Sequence, residues 1–510
     1  MILINTSKEA IDYMESLPRF GSKLTDLSRM KRLCTLLGNP EEKLKFIHIA
    51  GTNGKGSTSS MLTSILVESG YKTGTYTSPY LEHFSERIRI NQQDIEDEKL
   101  VLATNAVIKA LEQLHIENPS IAFSQFEIIT AVALVCFLDS ACDIVVFEVG
   151  LGGRLDATNV IPSPILSVIS TISLDHCAIL GNTLEEIAAE KAGIIKKGGV
   201  CVAYPAKEEV CKVFEAKAAS ENASLIYSEL VERPSSFNLD SQTFILKDYE
   251  AIESIESIES LDKSSMETPQ NQDASSSLKT SASLKTSPSL KTSTSLKTSS
   301  SLKTSASLDY ASRKDVPSGS KSAATFEISL LGGYQLNNAA LAVKAARTAY
   351  DRGLTKISDQ SIAIGLKKAK WPARFELLSK KPIFIIDGSH NPEGVEALVD
   401  SLNYYFPGKK IRFIVGVLAD KLYNSIIEGT LMYSKAYYTV RPDTERALAS
   451  EELSSFIDKE CKLKKLAPIP TKPCKSLEEA VKSAFSEASE DDIICAYGSL
   501  YYISQCRYYI

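Results

Sequence analysis

The sequence predicts an α/β protein of two domains. Three observations carry this. From residue 45 to about residue 204, short β-branched runs alternate with longer helical stretches, the pattern of βαβ units on a mostly parallel sheet. The same alternation resumes after residue 323 on a smaller scale. A glycine-rich turn, Gly51 to Ser57, lies between the first clear strand and a helix, a place where such folds cradle phosphate. The expected architecture is an N-terminal P-loop-type, mostly parallel sheet with helices on both faces over residues 1–249. A smaller Rossmann-like α/β domain follows over residues 323–510, and an insertion at 250–322 separates the two.

Each element has its own signal. Phe46-Ile47-His48-Ile49-Ala50 reads as a strand. Residues 57–69 place Met61, Leu62, Ile65 and Leu66 on one helical face, closed by Gly70 at a C′ position. Residues 73–77, 144–147 and 165–171 read as buried parallel strands, because each is a short apolar run bounded by polar residues or glycine. In the second domain, residues 334–350 read as a helix and 383–386, 411–417, 436–440 and 493–497 as strands.

Composition bounds the rest. The chain has 510 residues, 44% hydrophobic and 24% charged, which fits large globular cores. Its net charge of −6 provides no global field for nucleic acid or anionic membrane, so phosphate binding must be local. Ten cysteines are scattered without a C-x-x-C pair, which argues against a zinc site or disulfide framework and for a reducing compartment. Residues 1–17 mix charged and apolar residues at helical spacing, unlike a signal peptide, and the apolar run at 130–138 is too short to cross a bilayer. A cytoplasmic protein is expected. So is a monomer, since no coiled-coil heptad asks for a partner.

Ser-Leu-Lys-Thr-Ser-x repeats with period six from Ser277 through Ser305. One apolar residue per unit cannot offset about 1–2 kcal/mol of backbone entropy per ordered residue, so residues 250–322 are expected to be a disordered insertion. A β-helix or a lysine-rich docking arm for an acidic partner is the functional alternative.

The chemistry gathers after predicted strands. In Gly51-Thr52-Asn53-Gly54-Lys55-Gly56-Ser57, backbone N–H groups, a helix N-terminus and the Lys55 cation suit a phosphate, although the spacing departs from the standard P-loop. Ser78, Glu148 and His176 each follow another predicted strand, so the fold should bring them to one crevice. A hydroxyl, a carboxylate and an imidazole there suit Mg²⁺ on ATP phosphates. Taken singly, each has a bland reading, the glycine loop as a tight turn, Glu148 as a cap or surface carboxylate and His176 as a loop histidine, and the strand and helix context of the loop favours phosphate.

The ordered motifs are more specific than any one residue. His48 through Ser57, Tyr76-Thr77-Ser78-Pro79, Phe84 through Arg89, Glu148 through Asn159 and Glu190 through Ile194 resemble folylpolyglutamate synthases and their bifunctional dihydrofolate synthase relatives, of the Mur ligase superfamily. Gln335 to Asn338, Trp371 through Glu376, Asp387 through Pro392 and Gly498-Ser499 resemble that family's C-terminal motifs, so the likeness covers almost the whole chain outside the insertion.

The resemblance implies a two-domain Mur ligase-like fold and ATP-dependent amide synthesis, in which a folate carboxylate becomes an acyl phosphate that the amine of L-glutamate attacks. It implies Asn53, Gly54, Lys55, Gly56, Ser57, Asn338, Arg374 and Asp387 at ATP, and Ser57, Ser78, Glu148 and His176 at Mg²⁺, with K⁺ a further candidate cation. Lys55, His176, His390 and a carbamylated Lys191 are the implied catalytic groups, and Arg87, Asp156 and Ser499 the implied substrate contacts. The implied partners are ATP, L-glutamate and a reduced folate or dihydropteroate, with neither nucleic acid nor membrane. Tyr334, Ala373 and Leu422 depart from the family's usual histidine, glycine and acidic residue. The same ligation on dihydropteroate or on a muramyl peptide, and a nucleotide-binding switch or scaffold, are the competing readings.

Overall fold

The computed structural model describes residues 3–18, 26–234, 238–252 and 321–510. Contacts gather Met1–Asp248 and Ala323–Ile510 into one compact unit; a second unit, Tyr249–Ser322, includes the repeat tract, which lies outside the described residues.

The compact unit holds two large sheets. The first has eight strands: β1 (Phe46–Ala50), β2 (Thr73–Tyr76), β3 (Ile88–Ile90), β4 (Gln93–Asp94), β5 (Ile144–Glu148), β6 (Leu166–Ile169), β7 (Val200–Ala203) and β8 (Ser224–Tyr227), in the order β4-β3-β2-β5-β1-β6-β7-β8. Six strands are parallel, and β3 and β4 run antiparallel at one edge. β1 is central and every residue in it is buried, His48 included, as expected of a strand covered on both faces. Phe147 packs between Phe46 and Tyr76 with tilted rings, each 5.2 Å away between ring centres. The parallel register sets Ile49 beside Glu148 and Ala50 beside Ile169, so the loops leaving β1, β5 and β6 emerge side by side.

After β9 (Gln242–Glu250) and β10 (Lys321–Ile328), which form a two-stranded sheet, comes the second large sheet. It contains β11 (Glu376–Lys380), β12 (Ile383–Ile386), β13 (Ile411–Val415), β14 (Ser434–Thr439), β15 (Thr471–Pro473) and β16 (Ile493–Tyr497), in the order β11-β12-β16-β13-β14-β15. Only β11 is antiparallel. Among the described residues no helix is long and apolar enough to cross a membrane.

The helix after the glycine-rich turn, Lys55–Glu68, differs from its sequence pattern. Four apolar residues on one face predict an amphipathic helix, yet residues 57–66 are all buried. The reason is a second covering layer. Helices Tyr334–Asp351 and Asp359–Lys368 pack on it, Ser60 Oγ donates to Lys370 O at 2.7 Å, and Ser69 Oγ donates to Ser361 Oγ at 2.8 Å. Gly365 permits the closest approach, since a Cβ there would lie 2.5 Å from the Ile65 Cα.

Gly365→Ala tests this packing. Mid-helix alanine normally stabilises by about 1 kcal/mol over glycine. Here the collision with backbone should reverse the sign and cost about 1–3 kcal/mol in denaturant unfolding. Unchanged or raised stability would contradict the close helix contact.

Candidate active site

A cavity of about 350 Å³ opens at the carboxyl ends of β1, β2, β5 and β6 and is closed on its other side by residues following Gly333 and β12. Its floor is the Gly51–Ser57 turn, whose glycines are dictated by close neighbours. Gly51 has φ +147°, and a Cβ there would sit 1.8 Å from Ser170 Oγ. Gly54 has φ +85°, and its Cβ would meet Asn338 Oδ1 at 2.4 Å; at Gly56 the Trp371 ring intervenes at 2.4 Å. Two of the three constraints therefore come from the C-terminal part of the chain. Ser170 Oγ donates to Asn53 O at 2.7 Å and Thr52 N to Thr171 O at 2.7 Å, which fastens the turn to the end of β6.

Three charged groups in this cavity, Lys55, Lys191 and Glu148, meet backbone groups. Lys55 Nζ folds back on its own turn, donating to Gly51 O at 3.0 Å and Thr52 O at 3.1 Å. Lys191 is 4% exposed and its Nζ donates to the same Gly51 O at 2.9 Å. Burial, then the Lys55 cation, pushes the Lys191 ammonium down to about 7. Glu148 is 3% exposed; it accepts the Ser78 backbone N–H, but its Oε2 has no hydrogen-bond partner. Burial raises the Glu148 carboxyl to about 7, against the opposing pull of Lys55 and Arg374.

Other polar groups bridge the two sheets' loops. Lys421 Nζ contacts Asp175 Oδ1 at 2.5 Å; burial raises the Asp175 carboxyl, but Lys421 and His176 outweigh it and hold the group well below the usual carboxylate range. Asn53 Nδ2 donates to Glu393 Oε2 at 2.6 Å, and Asn391 Nδ2 donates to Asn53 Oδ1 at 3.0 Å. His390 Nδ1 lies 2.9 Å from Gly388 O, an acceptor only, so the ring proton is on Nδ1 and the Nε2 lone pair is free. Burial, then Lys421, pushes the His390 imidazole down to about 4.

Asn53, Gly54, Lys55, Gly56, Ser57, Ser78, Glu148, His176 and Lys191 all line this one cavity. From the C-terminal part, Asn338, Arg374, Asp387 and His390 join them. Three sequence-predicted residues are not among the lining groups. Arg87 turns its guanidinium over the Tyr80 ring at 5.1 Å, with Nε buried and unpartnered. Asp156 is consumed by the turn after β5, accepting Leu151 N at 2.9 Å and Thr158 Oγ1 at 2.5 Å. Ser499 Oγ accepts Tyr501 N at 3.3 Å, a local cap. Asp387 lines the cavity but already accepts Phe375 N, Ser389 N and the Tyr334 hydroxyl at 2.8, 2.8 and 2.6 Å. Tyr334, the departure from the family's usual histidine, thus anchors this carboxylate. Asp175, Lys421 and Trp371 belong to sequence clusters around this site, Trp371 opening the Trp371–Glu376 motif, yet the sequence alone assigns none of them a role.

No cluster of three or more His, Cys, Asp or Glu poised for a metal occurs among the described residues. The donors facing the cavity nevertheless fit magnesium carried on a phosphate. Ser57, Ser78 and His176 accompany a carboxylate with one orphaned buried oxygen, and such an ion completes its shell with phosphate and water.

Comparison with known proteins places this geometry. Family profiles described as Mur ligase middle domain and Mur ligase, glutamate ligase domain match residues 49–244 and 373–500. A dihydrofolate synthase/folylpolyglutamate synthase of Bacillus subtilis is 32% identical over 504 residues, covering 98% of each chain. The chain belongs to the folylpolyglutamate synthase/dihydrofolate synthase family of Mur ligases. A folylpolyglutamate synthase of Lacticaseibacillus casei is 30% identical over 98% of this chain and 97% of its own. Among solved folylpolyglutamate synthases, the apo form from L. casei superposes with a TM-score of 0.72 at 29% identity over 99% of both chains. The Thermotoga maritima enzyme gives 0.71 at 28% over 99% of this chain and 96% of its own. The two-domain α/β architecture expected from the sequence is the architecture of this family.

Glu148 gives this family member a pH signature. An unfolded glutamate ionises near 4.5 and the folded one near 7. Stability therefore falls as pH rises between those values and is flat above, a loss of up to about 3 kcal/mol by linkage. Glu148→Gln removes that dependence, so the ligand-free variant should melt above wild type at pH 8 and close to it at pH 5. Equal displacement at both pH values would contradict a buried, unpartnered carboxylate.

Proposed function

We infer that the cavity is the active site of an ATP-dependent ligase that joins L-glutamate to the γ-carboxylate of a reduced folate, releasing ADP and phosphate. One observation carries this: two lysines share a single carbonyl oxygen beside a glycine-rich turn, in a cavity also lined by a buried carboxylate with one unpartnered oxygen, in a chain of the folylpolyglutamate synthase family. A solved complex of a folylpolyglutamate synthase with AMPPCP and folate, 28% identical with a TM-score of 0.72, supports the pairing of nucleotide and folate.

The residues divide the work. The Gly54–Ser57 backbone and Lys55 hold the terminal phosphates; Lys55 exchanges its bonds to Gly51 O and Thr52 O for phosphate oxygens. Asn53, Asn338, Arg374 and Asp387 complete the nucleotide side. Ser57, Ser78, Glu148 and His176 would hold Mg²⁺, which when bound neutralises phosphate charge. The folate carboxylate attacks the γ-phosphorus, ADP leaves, and the glutamate amine attacks the resulting acyl carbon to expel phosphate. His390, neutral with a free Nε2, accepts a hydrogen bond from the incoming amine. Lys191 is kept partly neutral by burial and by Lys55, the form that adds CO₂, and its carbamate would replace a second cation by an anion beside the metal. Arg87 is the carboxylate-binding candidate outside the cavity wall. A second acceptor, dihydropteroate, is favoured by the double name of the B. subtilis relative.

Purified protein with Mg-ATP and glutamate should release ADP only when tetrahydrofolate or dihydropteroate is added, and which acceptor works separates the two readings. Lys55→Ala should lower this turnover by about a hundredfold or more while leaving the fold intact. Stripping dissolved CO₂ should lower it as well; indifference to CO₂ would leave Lys191 an ordinary amine. Tight nucleotide binding without folate-dependent ADP would favour the switch instead.

A further inference from the structure

His48 sits in the middle of β1 with 0% exposure and has no part in the chemistry above. Its Nε2 is 2.9 Å from Thr158 Oγ1, and Thr158 Oγ1 is 2.5 Å from Asp156 Oδ1. The same carboxylate receives Thr158 N at 3.0 Å and Leu151 N at 2.9 Å, and the Gly150 backbone as well. A carboxylate ringed by donors only accepts, so the Thr158 hydroxyl gives its single proton to Asp156 and must accept one from His48. That places the imidazole proton on Nε2 and leaves Nδ1 a buried lone pair without a partner.

The far end of this chain is the wall of the cavity. Gly150, Leu151 and Gly152 line it, two to four residues after Glu148. The same turn lies against the end of the Leu184–Ala192 helix that carries Lys191. Arg154 N donates to Glu190 O at 2.8 Å, and a Cβ on Gly193 would lie 2.5 Å from the Arg154 Cα. Asn159 Nδ2 ties both sides together, donating to Arg154 O at 3.0 Å and Gly193 O at 3.1 Å.

We propose that His48 and Thr158 are positioning residues: through Asp156 they hold the Gly150–Gly153 turn, and with it Glu148 and Lys191, in the arrangement that phosphoryl transfer requires. This rests on the ligase reading of the cavity. It also gives Asp156 a role in the wall in place of substrate contact. A buried hydroxyl that merely fills space would tolerate an isosteric apolar replacement, whereas a relay of directed protons would not.

Thr158→Val keeps the shape and deletes the hydroxyl; Thr158→Ser keeps the hydroxyl. The valine variant should lose about tenfold or more in kcat with KM for ATP held within about twofold, and the serine variant should recover most of the loss. Should the Thr158 variants fail to fold, His48→Gln, which retains a donor in place of Nε2, is compared with His48→Leu in the same way. ¹⁵N-histidine spectra of wild type at neutral pH should show His48 as the Nε2–H tautomer. The proposal is overturned by a proton on Nδ1, by valine or leucine variants with wild-type kcat, or by serine and glutamine variants that lose as much as their apolar counterparts. Absence of folate turnover in wild type would instead sink the ligase reading, while the tautomer would still report on the relay.

Discussion

Two ammonium groups converge on one backbone oxygen. Lys55, partly buried, and Lys191, buried, both donate to Gly51 O, with Glu148 Oε2 in the same cavity and without a partner. Like charges at such a place repel by several kcal/mol even at an effective dielectric near 20. The arrangement is eased when Lys191 gives up its proton or when an anion enters to meet both cations. The polyphosphate of the proposed nucleotide would do the latter.

The shape depends on both lobes. The turn that holds the lysines can adopt its course only because Gly51, Gly54 and Gly56 leave room for Ser170, Asn338 and Trp371. The glycine-rich turn is thus moulded by residues about three hundred positions downstream, Asn338 and Trp371, as well as by its own sheet. Parallel strands bring Glu148 and His176 to the same end of the sheet, while Asn53–Glu393 and Asp175–Lys421 contacts fasten the opposite wall. Separation in sequence is therefore no guide to independence in function here. The helix behind the turn shows the same thing in its burial on every side.

Much of this was legible beforehand, for identifiable reasons. β1, β5 and β12 are largely buried and so appear in the sequence as mainly apolar runs, interrupted in β1 by His48, and their boundaries follow almost to the residue. Gly70 does take a positive φ, +77°, just beyond its helix. The edge strands β11 and β15 carried no such signal, being short, polar and in β15 terminated by Pro473. Burial of Lys191 was equally hidden, since a lysine near a helix end reads as a solvated group until the turn packed against it is known. Motif likeness gathered the cavity residues together, but it could not separate those that face the cavity from those, such as Asp156 and Ser499, whose hydrogen bonds are already taken by their own loops.

The central claim is that groups from both lobes meet one nucleotide in this cavity. A crystal structure of the protein with magnesium and AMPPCP tests it most directly. The triphosphate should lie against the Gly51–Ser57 backbone with Lys55 turned from Gly51 O onto it, and the nucleoside should reach Asn338 and Arg374. Nucleotide density outside the cavity, or contacts confined to one lobe, would contradict it.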